Sequence, residues 1–243
     1  MKMLTFAKRC AKEILRDPLN LLFGLGFPVV LLLLLSAIQA NVPVALFEIG
    51  HLAPGISVFG LSFITLFSAT LIARDRETAL LQRLYTTPLK SSDFIMGYML
   101  PMLPLALAQG LICYIVAILL GLPVTINILL AALLLLPVAI FYISLGLLCG
   151  SVFNVKQVGG ICGALLTNLS AWLSGVWFDL DLVGGAFVKV ANILPFMHAV
   201  ELERAVISEN YCDIFTHLYP VAGFSILTLT AAIYLFLHQK KSQ

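Results

Sequence analysis

Long stretches without a charged residue constrain this chain more than any other feature of its sequence. No Asp, Glu, Lys or Arg occurs at residues 19–47, 51–73, 94–155, 157–178 or 214–239. Of the 243 residues, 11% are charged and 61% are hydrophobic, whereas about 25% of an ordinary soluble domain is charged. Since about 20 apolar residues cross the hydrocarbon core of a bilayer, each stretch is long enough to span a membrane.

The stretch at residues 94–155 is too long for one membrane helix. Gly121-Leu122-Pro123 interrupts it, and a glycine close to a proline is typical of a helix end. We therefore predict an all-α, polytopic membrane protein whose single transmembrane domain covers residues 1–243. Its six predicted spans are residues 19–40, 53–73, 95–120, 125–150, 157–178 and 214–237.

The Lys and Arg residues predict the orientation, because basic loops stay on the cytoplasmic side of a membrane. With both termini in the cytoplasm, 12 of the 14 Lys and Arg residues lie inside, and Lys189 and Arg204 lie outside. An even number of spans agrees with this arrangement. The absence of a targeting leader and the compact chain favour a bacterial plasma membrane.

Residues 2–17 are predicted to form an amphipathic elbow helix in the cytoplasmic interface of the membrane. Apolar residues recur there at helical spacing, opposite a basic face that includes Lys8, Arg9 and Lys12. The apolar residues are Met3, Leu4, Ala7, Cys10, Ala11, Ile14 and Leu15. Two interpretations stay open: a membrane anchor, or an elbow that transmits motion from a cytoplasmic partner to the first span.

The most polar part of the chain is the loop at residues 74–93, between the second and third predicted spans. Leu80, Leu81 and Leu84 form an apolar stripe, and the charged residues of this loop lie away from it. The pattern predicts a short amphipathic helix that ends before Pro88. A docking helix and an ordinary charged loop both fit it.

Residues 179–213 mix acidic residues, glycines and apolar residues, which makes them too polar to span and too apolar for a free loop. We expect one or two short external helices that re-enter the outer leaflet, shielded by protein. A seven-span alternative would place Lys240 and Lys241 outside, against the charge rule.

Several chemistries have no motif in this sequence. There is no G-x-x-x-x-G-K-[ST] loop, so ATP hydrolysis is expected on another polypeptide, and no H-E-x-x-H, G-x-S-x-G or C-x-x-C occurs. The five cysteines show no metal or disulfide spacing. His51, His198 and His217 are expected near the outer face as interfacial polar residues. No Asp, Glu, Lys, Arg or His lies at mid-membrane depth in a predicted span, which argues against a proton-driven carrier.

Mildly polar residues do occur within the spans. Ser62 and Thr65 share a helix face in the second span, and Asn168 and Trp172 share one in the fifth. Hydrogen bonds between helices are one explanation of such residues, and the wall of a pathway for a largely apolar substrate is another.

The loop after the second span carries a resemblance to a known family. Asp75-Arg76-Glu77, followed by Leu81, Leu84, Thr87-Pro88 and Gly97, resembles the E-R-E...G-T-L-E-x-L...T-P...G-K pattern of the type-2 ATP-binding-cassette (ABC) exporter permeases. The elbow, the six spans and Leu194-Pro195-Phe196 after the fifth span are also similar to that family. Ala79, Leu80, Gln82 and Tyr98 depart from its usual residues.

This resemblance implies a permease subunit without enzymatic activity of its own. It would pair with a second permease copy or a paralogue in a lipid membrane and rest on cytoplasmic ABC subunits that bind ATP and Mg. No cofactor, metal or nucleic acid is expected on this chain. The resemblance assigns Arg76, Glu77, Leu80, Leu81, Leu84 and Pro88 to the helix that couples to the ATPase, and Ser62, Thr65, Asn168 and Trp172 to the substrate path.

The expected function is therefore ATP-driven export of a hydrophobic or amphipathic substrate, such as a drug, an antimicrobial peptide or a lipid. Two alternatives remain: an ion-coupled or passive carrier, and a membrane enzyme or sensory anchor. An intramembrane carboxylate would favour the carrier, and a nucleophile with a base would favour the enzyme.

Overall fold

Helices account for the regular structure of this protein. The structure, a computed structural model, describes residues 2–42, 45–78 and 91–241, and no strand occurs in these ranges. Two stretches of π-helix, π1 and π2, continue directly into α-helices. In chain order the elements are α1 (Lys2–Leu15), α2 (Pro18–Leu21), π1 (Leu22–Gly26), α3 (Phe27–Asn41), α4 (Ile49–Glu77), α5 (Ser91–Leu119), α6 (Asn127–Val152), α7 (Val155–Val158), π2 (Gly159–Leu166), α8 (Thr167–Leu173), α9 (Gly185–Ile193), α10 (Pro195–Ile207) and α11 (Tyr211–Lys241).

Five helical stretches in the described residues are long and apolar enough to cross a membrane. They are Pro18–Asn41, Ile49–Glu77, Asp93–Leu119, Asn127–Val152 and Tyr211–Phe236. These correspond to five of the six predicted spans. The remaining one, the fifth predicted span at residues 157–178, is helical from Val155 to Leu173 and contains π2. Its crossing of the membrane stays a prediction.

The turn between α5 and α6 lies where the Gly-Leu-Pro sequence predicted it. Gly121 has a φ of 108°, a left-handed conformation that favours glycine. The Leu122 N–H donates to the Ala117 carbonyl at 2.9 Å, as in a Schellman cap that closes a helix. The two helices therefore form a tight hairpin.

Helix α4 is the centre of the bundle. In its most apolar window 83% of the residues are buried within the chain, against 22–44% in the other four spans, so the other helices surround it and keep faces exposed. The closest packing is with α6, where Gly146 and Gly150 form a G-x-x-x-G pair. A Cβ on Gly146 would lie 2.5 Å from the Thr65 carbonyl oxygen, and one on Gly150 2.5 Å from that of Ala69. Small residues thus let the two backbones approach.

The segment at residues 179–213 contains two short helices, α9 and α10. Helix α10 packs between α4, α6 and α11, and Arg204 holds it there. The Arg204 guanidinium donates to the His51 carbonyl at 3.3 Å, to the Gly175 carbonyl at 3.1 Å and to Glu201 at 2.8 Å. Helix α10 of this segment is therefore packed into the bundle, and the depth of the segment in a membrane stays a prediction.

Candidate functional site

The candidate site is the end of the bundle at which α4 finishes, called here the coupling end. It consists of the last turn of α4, with Asp75, Arg76 and Glu77, and the side chains that contact this turn. The loop that follows leads to α5 and carries the predicted docking stripe. Leu80, Leu81, Leu84 and Pro88 lie outside the described residues.

Asp75 is the most buried charged group of this turn, with 2% of its surface exposed. Arg9 of α1 binds its carboxylate with two nitrogens, at 2.5 and 2.6 Å, and the Tyr98 hydroxyl of α5 donates to it at 2.8 Å. The hydrogen bonds to Asp75 raise the pKa of the Arg9 guanidinium, so this guanidinium stays charged at physiological pH. A paired and fully bonded carboxylate is the form in which a buried charge is tolerated.

Helix α1 is held to α5 by aromatic packing beside this ion pair. The ring of Phe6 makes edge contacts with those of Phe94 and Tyr98, at centroid distances of 5.7 and 4.9 Å. It lies directly over Gly97, where an added Cβ would come within 2.3 Å of the Phe6 ring. This contact gives a physical reason for glycine at position 97. The elbow is therefore packed on the bundle through Phe6, which the predicted apolar stripe did not include.

Arg76 closes the end of a neighbouring helix. Its guanidinium donates to the carbonyls of Gly150 at 2.8 Å and Phe153 at 3.3 Å, at the C-terminus of α6. The last carbonyls of a helix have no partner within the helix, and a cation there also compensates the helix dipole. Arg76 thereby joins α4 to α6.

Glu77 binds a free backbone N–H at the start of another helix. Its Oε1 accepts a hydrogen bond from the Val155 N–H at 2.9 Å, in the first turn of α7. Asn154 and Gln157 complete this turn with a capping box. Arg76 and Glu77, which the family resemblance assigned to the ATPase-coupling helix, thus form contacts within the chain, and their contact with a partner stays a prediction.

Together these contacts make the last turn of α4 a junction of five helices. Asp75 joins it to α1 and α5, Arg76 to α6, and Glu77 to α7. The links between these elements are charged hydrogen bonds and one partly buried ion pair. These contacts are mechanical and electrostatic links between helices.

The four predicted pathway residues lie in two different environments. Ser62 and Thr65 are buried between α4 and α6, with the Thr65 hydroxyl donating to the Tyr142 carbonyl at 2.8 Å. Asn168 and Trp172 lie on the exposed surface of π2 and α8, and 51% of Trp172 is accessible. The structure does not bring the four together within one chain.

Sequence reasoning missed a buried carboxylate in the region predicted to be external. Glu203 of α10 is fully buried, and the Tyr114 hydroxyl donates to its Oε2 at 2.6 Å. Its Oε1 has no hydrogen-bond partner among the described residues. Burial raises the pKa of the Glu203 carboxyl to about 8. The absence of charged residues was examined only in the predicted spans, whereas Glu203 lies on α10, in the segment predicted to be external. Nothing in the sequence therefore indicated that this carboxylate is buried in the bundle.

Comparison with known proteins identifies the family of this chain. A family model described as ABC-2 type transporter matches residues 1–207. A search of curated proteins finds no match. The match extends from α1 to the end of α10, so it contains the complete coupling end and four of the five candidate spans. The chain therefore belongs to the ABC-2 type transporter family and is the membrane-embedded, non-ATPase part of such a transporter.

Proposed function

We propose that this chain is the permease subunit of an ATP-driven exporter, with both termini in the cytoplasm of a bacterial cell. The junction at the coupling end carries the proposal, because it connects the loop at residues 79–90 to five helices at once. A separate ABC subunit binds ATP and Mg and seats the docking stripe of Leu80, Leu81 and Leu84 in a groove. Closure of the ATPase then displaces α4 together with the elbow.

The exposed surface of π2 and α8 is the part of the chain that we assign to the substrate path. Leu165 and Trp172 are 57% and 51% exposed, and Asn168 lies between them with its amide donating to the Ala164 carbonyl at 2.8 Å. This surface is apolar with one amide and no charge, which suits a hydrophobic or amphipathic substrate. A second permease copy or a paralogue would close the path on the opposite side.

Co-purification tests the docking step. We expect a stoichiometric P-loop ATPase to accompany the tagged chain in mild detergent, and Leu81→Asp with Leu84→Asp to release it without preventing membrane insertion. Leu182→Asp is the matched control, because Leu182 is a leucine of the segment between π2 and α11 with 82% of its surface exposed. Retention of the ATPase by the double variant, or its loss with the control, would contradict docking through this stripe.

Glu77 separates docking from transmission. Glu77→Lys removes the acceptor of the Val155 N–H and repels the start of α7, so we expect the ATPase to bind while transport falls. Transport at the wild-type level in proteoliposomes would count against the junction as the coupling path.

Glu203 favours a second candidate, an ion-coupled carrier, because a buried carboxylate is the usual proton site of such carriers. The two functions are distinguished in proteoliposomes that contain the chain alone. Uptake driven by a pH gradient and abolished by Glu203→Gln would establish the carrier, whereas uptake that requires the ATPase and ATP would establish the exporter.

A further inference from the structure

Two histidines face each other at the end of the bundle opposite the coupling end, here called the far end. His198 of α10 and His217 of α11 place their Nδ1 atoms 2.9 Å apart. Both side chains are partly exposed. Two ring nitrogens that converge from separate helices either share one proton or bind one cation.

The surroundings of His198 determine its tautomer. Its Nε2 lies 2.9 Å from the Asn192 carbonyl oxygen, an atom that only accepts, so Nε2 carries the proton. In the neutral ring Nδ1 then presents a lone pair toward His217. A backbone carbonyl on the second ring nitrogen is the arrangement that orients metal-binding histidines in proteins.

Carboxylates accompany both histidines at helical spacing. Glu201 follows His198 by three residues on α10, and Asp213 precedes His217 by four on α11, so each pair shares a helix face. Glu201 accepts from Arg204 with Oε1, which leaves Oε2 as the oxygen that can turn toward the imidazoles.

A cavity gives a cation access to His217 and to the two carboxylates. It has a volume of 410 Å³, and its lining includes Glu201, Asp213 and His217 together with His51 and Glu48. Three carboxylates and one guanidinium, that of Arg204, line it among the described residues, so its net charge attracts cations. The His51 Nδ1 is buried without a hydrogen-bond partner in the described part of the chain.

We propose that His198 and His217 bind a borderline divalent cation of the Zn²⁺ class at the far end. Tetrahedral zinc holds its nitrogens at about 2.0–2.1 Å, which places two of them about 3.3 Å apart. The rings therefore need to separate by about 0.4 Å and to rotate until both Nδ1 lone pairs point at the metal. No three His, Cys, Asp or Glu side chains of the described residues already surround one point. The remaining positions are therefore filled by Glu201 or Asp213 after a rotamer change, or by water from the cavity.

Metal binding to the purified chain tests this site independently of transport. The chain carries an affinity tag without histidine and Cys212→Ser, because Cys212 is an exposed thiol. Equilibrium dialysis against ZnCl₂ with elemental analysis measures the stoichiometry, and visible absorption of the Co²⁺ form reports tetrahedral ligands. We expect one metal per chain, and a loss of affinity of more than about tenfold in His198→Gln and in His217→Gln.

His238→Gln is the matched control on the same helix. It lies 21 residues after His217 in α11, about 32 Å away along the helix axis. Its affinity for Zn²⁺ should equal that of the parent. Absence of bound metal in the parent chain, or equal binding by the parent and the His198→Gln, His217→Gln double variant, would mean that the pair is only hydrogen-bonded and would overturn the proposal.

Discussion

At the scale of single residues, Asp75 has the largest predicted effect on stability. Removing one partner of a buried ion pair costs about 3–5 kcal/mol, because the other charge loses its compensation. Arg9 has 37% of its side chain in solvent and keeps its ion pair with Glu13 at 2.7 Å, which reduces the cost, whereas the buried Tyr98 hydroxyl loses its acceptor, which adds to it. We therefore expect Asp75→Ala to lower the free energy of unfolding by about 3 kcal/mol, the lower end of that range. Denaturant unfolding in detergent micelles measures the change.

Arg74→Ala provides the comparison for Asp75. Arg74 pairs with Asp17 at 3.3 Å, but 49% and 24% of these side chains are exposed. An exposed pair contributes about 1 kcal/mol or less. Equal losses from the two substitutions would show that Asp75 is not buried as described.

Glu203 predicts that stability depends on pH. The folded chain keeps this carboxyl protonated up to about pH 8, whereas the ordinary pKa is 4.5. The folded state therefore holds more protons than the unfolded state between these values, and its stability falls as the pH rises through this interval. We expect the melting temperature to fall from pH 5.5 to pH 8.5 in the parent and to fall less in Glu203→Gln. Asp181→Asn, at an exposed carboxyl, should leave the parent curve unchanged.

At the scale of elements, Gly97 allows α1 to pack closely on α5. A larger side chain there meets the Phe6 ring, so Gly97→Val should lift the elbow and expose Cys10 beneath it. Burial raises the pKa of the Cys10 thiol to about 12, which keeps it unreactive in the parent chain. Maleimide labelling followed by mass spectrometry should modify Cys10 in the variant alone. Gly50→Ala is the control, since a Cβ there meets no described atom within 4 Å.

The contact between α4 and α6 gives a second prediction at this scale. A side chain at Gly146 meets the backbone of α4, which cannot give way as a flexible side chain can. Overpacking costs about 1–3 kcal/mol, and Gly146→Val should reach the upper end of this range. Gly223→Val, where the added Cβ meets no described atom within 4 Å, should cost less than half as much in the same unfolding measurement.

The sequence predicts the elements better than it predicts their contacts. Charge-free runs locate α4, α5, α6 and α11 because a bilayer dictates their length and composition. Asp75 looks like any charge at the end of a span, and its burial follows only from packing against Arg9, 66 residues earlier. Periodicity also gives no sign of π2, because a change of hydrogen-bond pattern leaves the apolar composition of a helix intact.

At the scale of the whole molecule, the remaining prediction concerns sidedness. The distribution of basic residues predicts that Cys212, an exposed thiol at the start of α11, lies outside the cell. A membrane-impermeant maleimide should label it in intact cells. A cysteine introduced in place of Lys8, which is exposed on α1, should react only after the membrane is opened. Labelling of Lys8→Cys in intact cells would reverse the orientation.

The π-helical stretches have a consequence for the comparison of relatives. A π turn accommodates more chain than an α turn of the same height, so each of π1 and π2 holds extra chain relative to a regular helix. Relatives whose first or fifth span is purely α-helical should therefore align with this chain only after a short gap at Leu22–Gly26 or at Gly159–Leu166. An insertion inside one of these spans, rather than in a loop, would then mark a position at which an added residue rotated the rest of the helix about its axis.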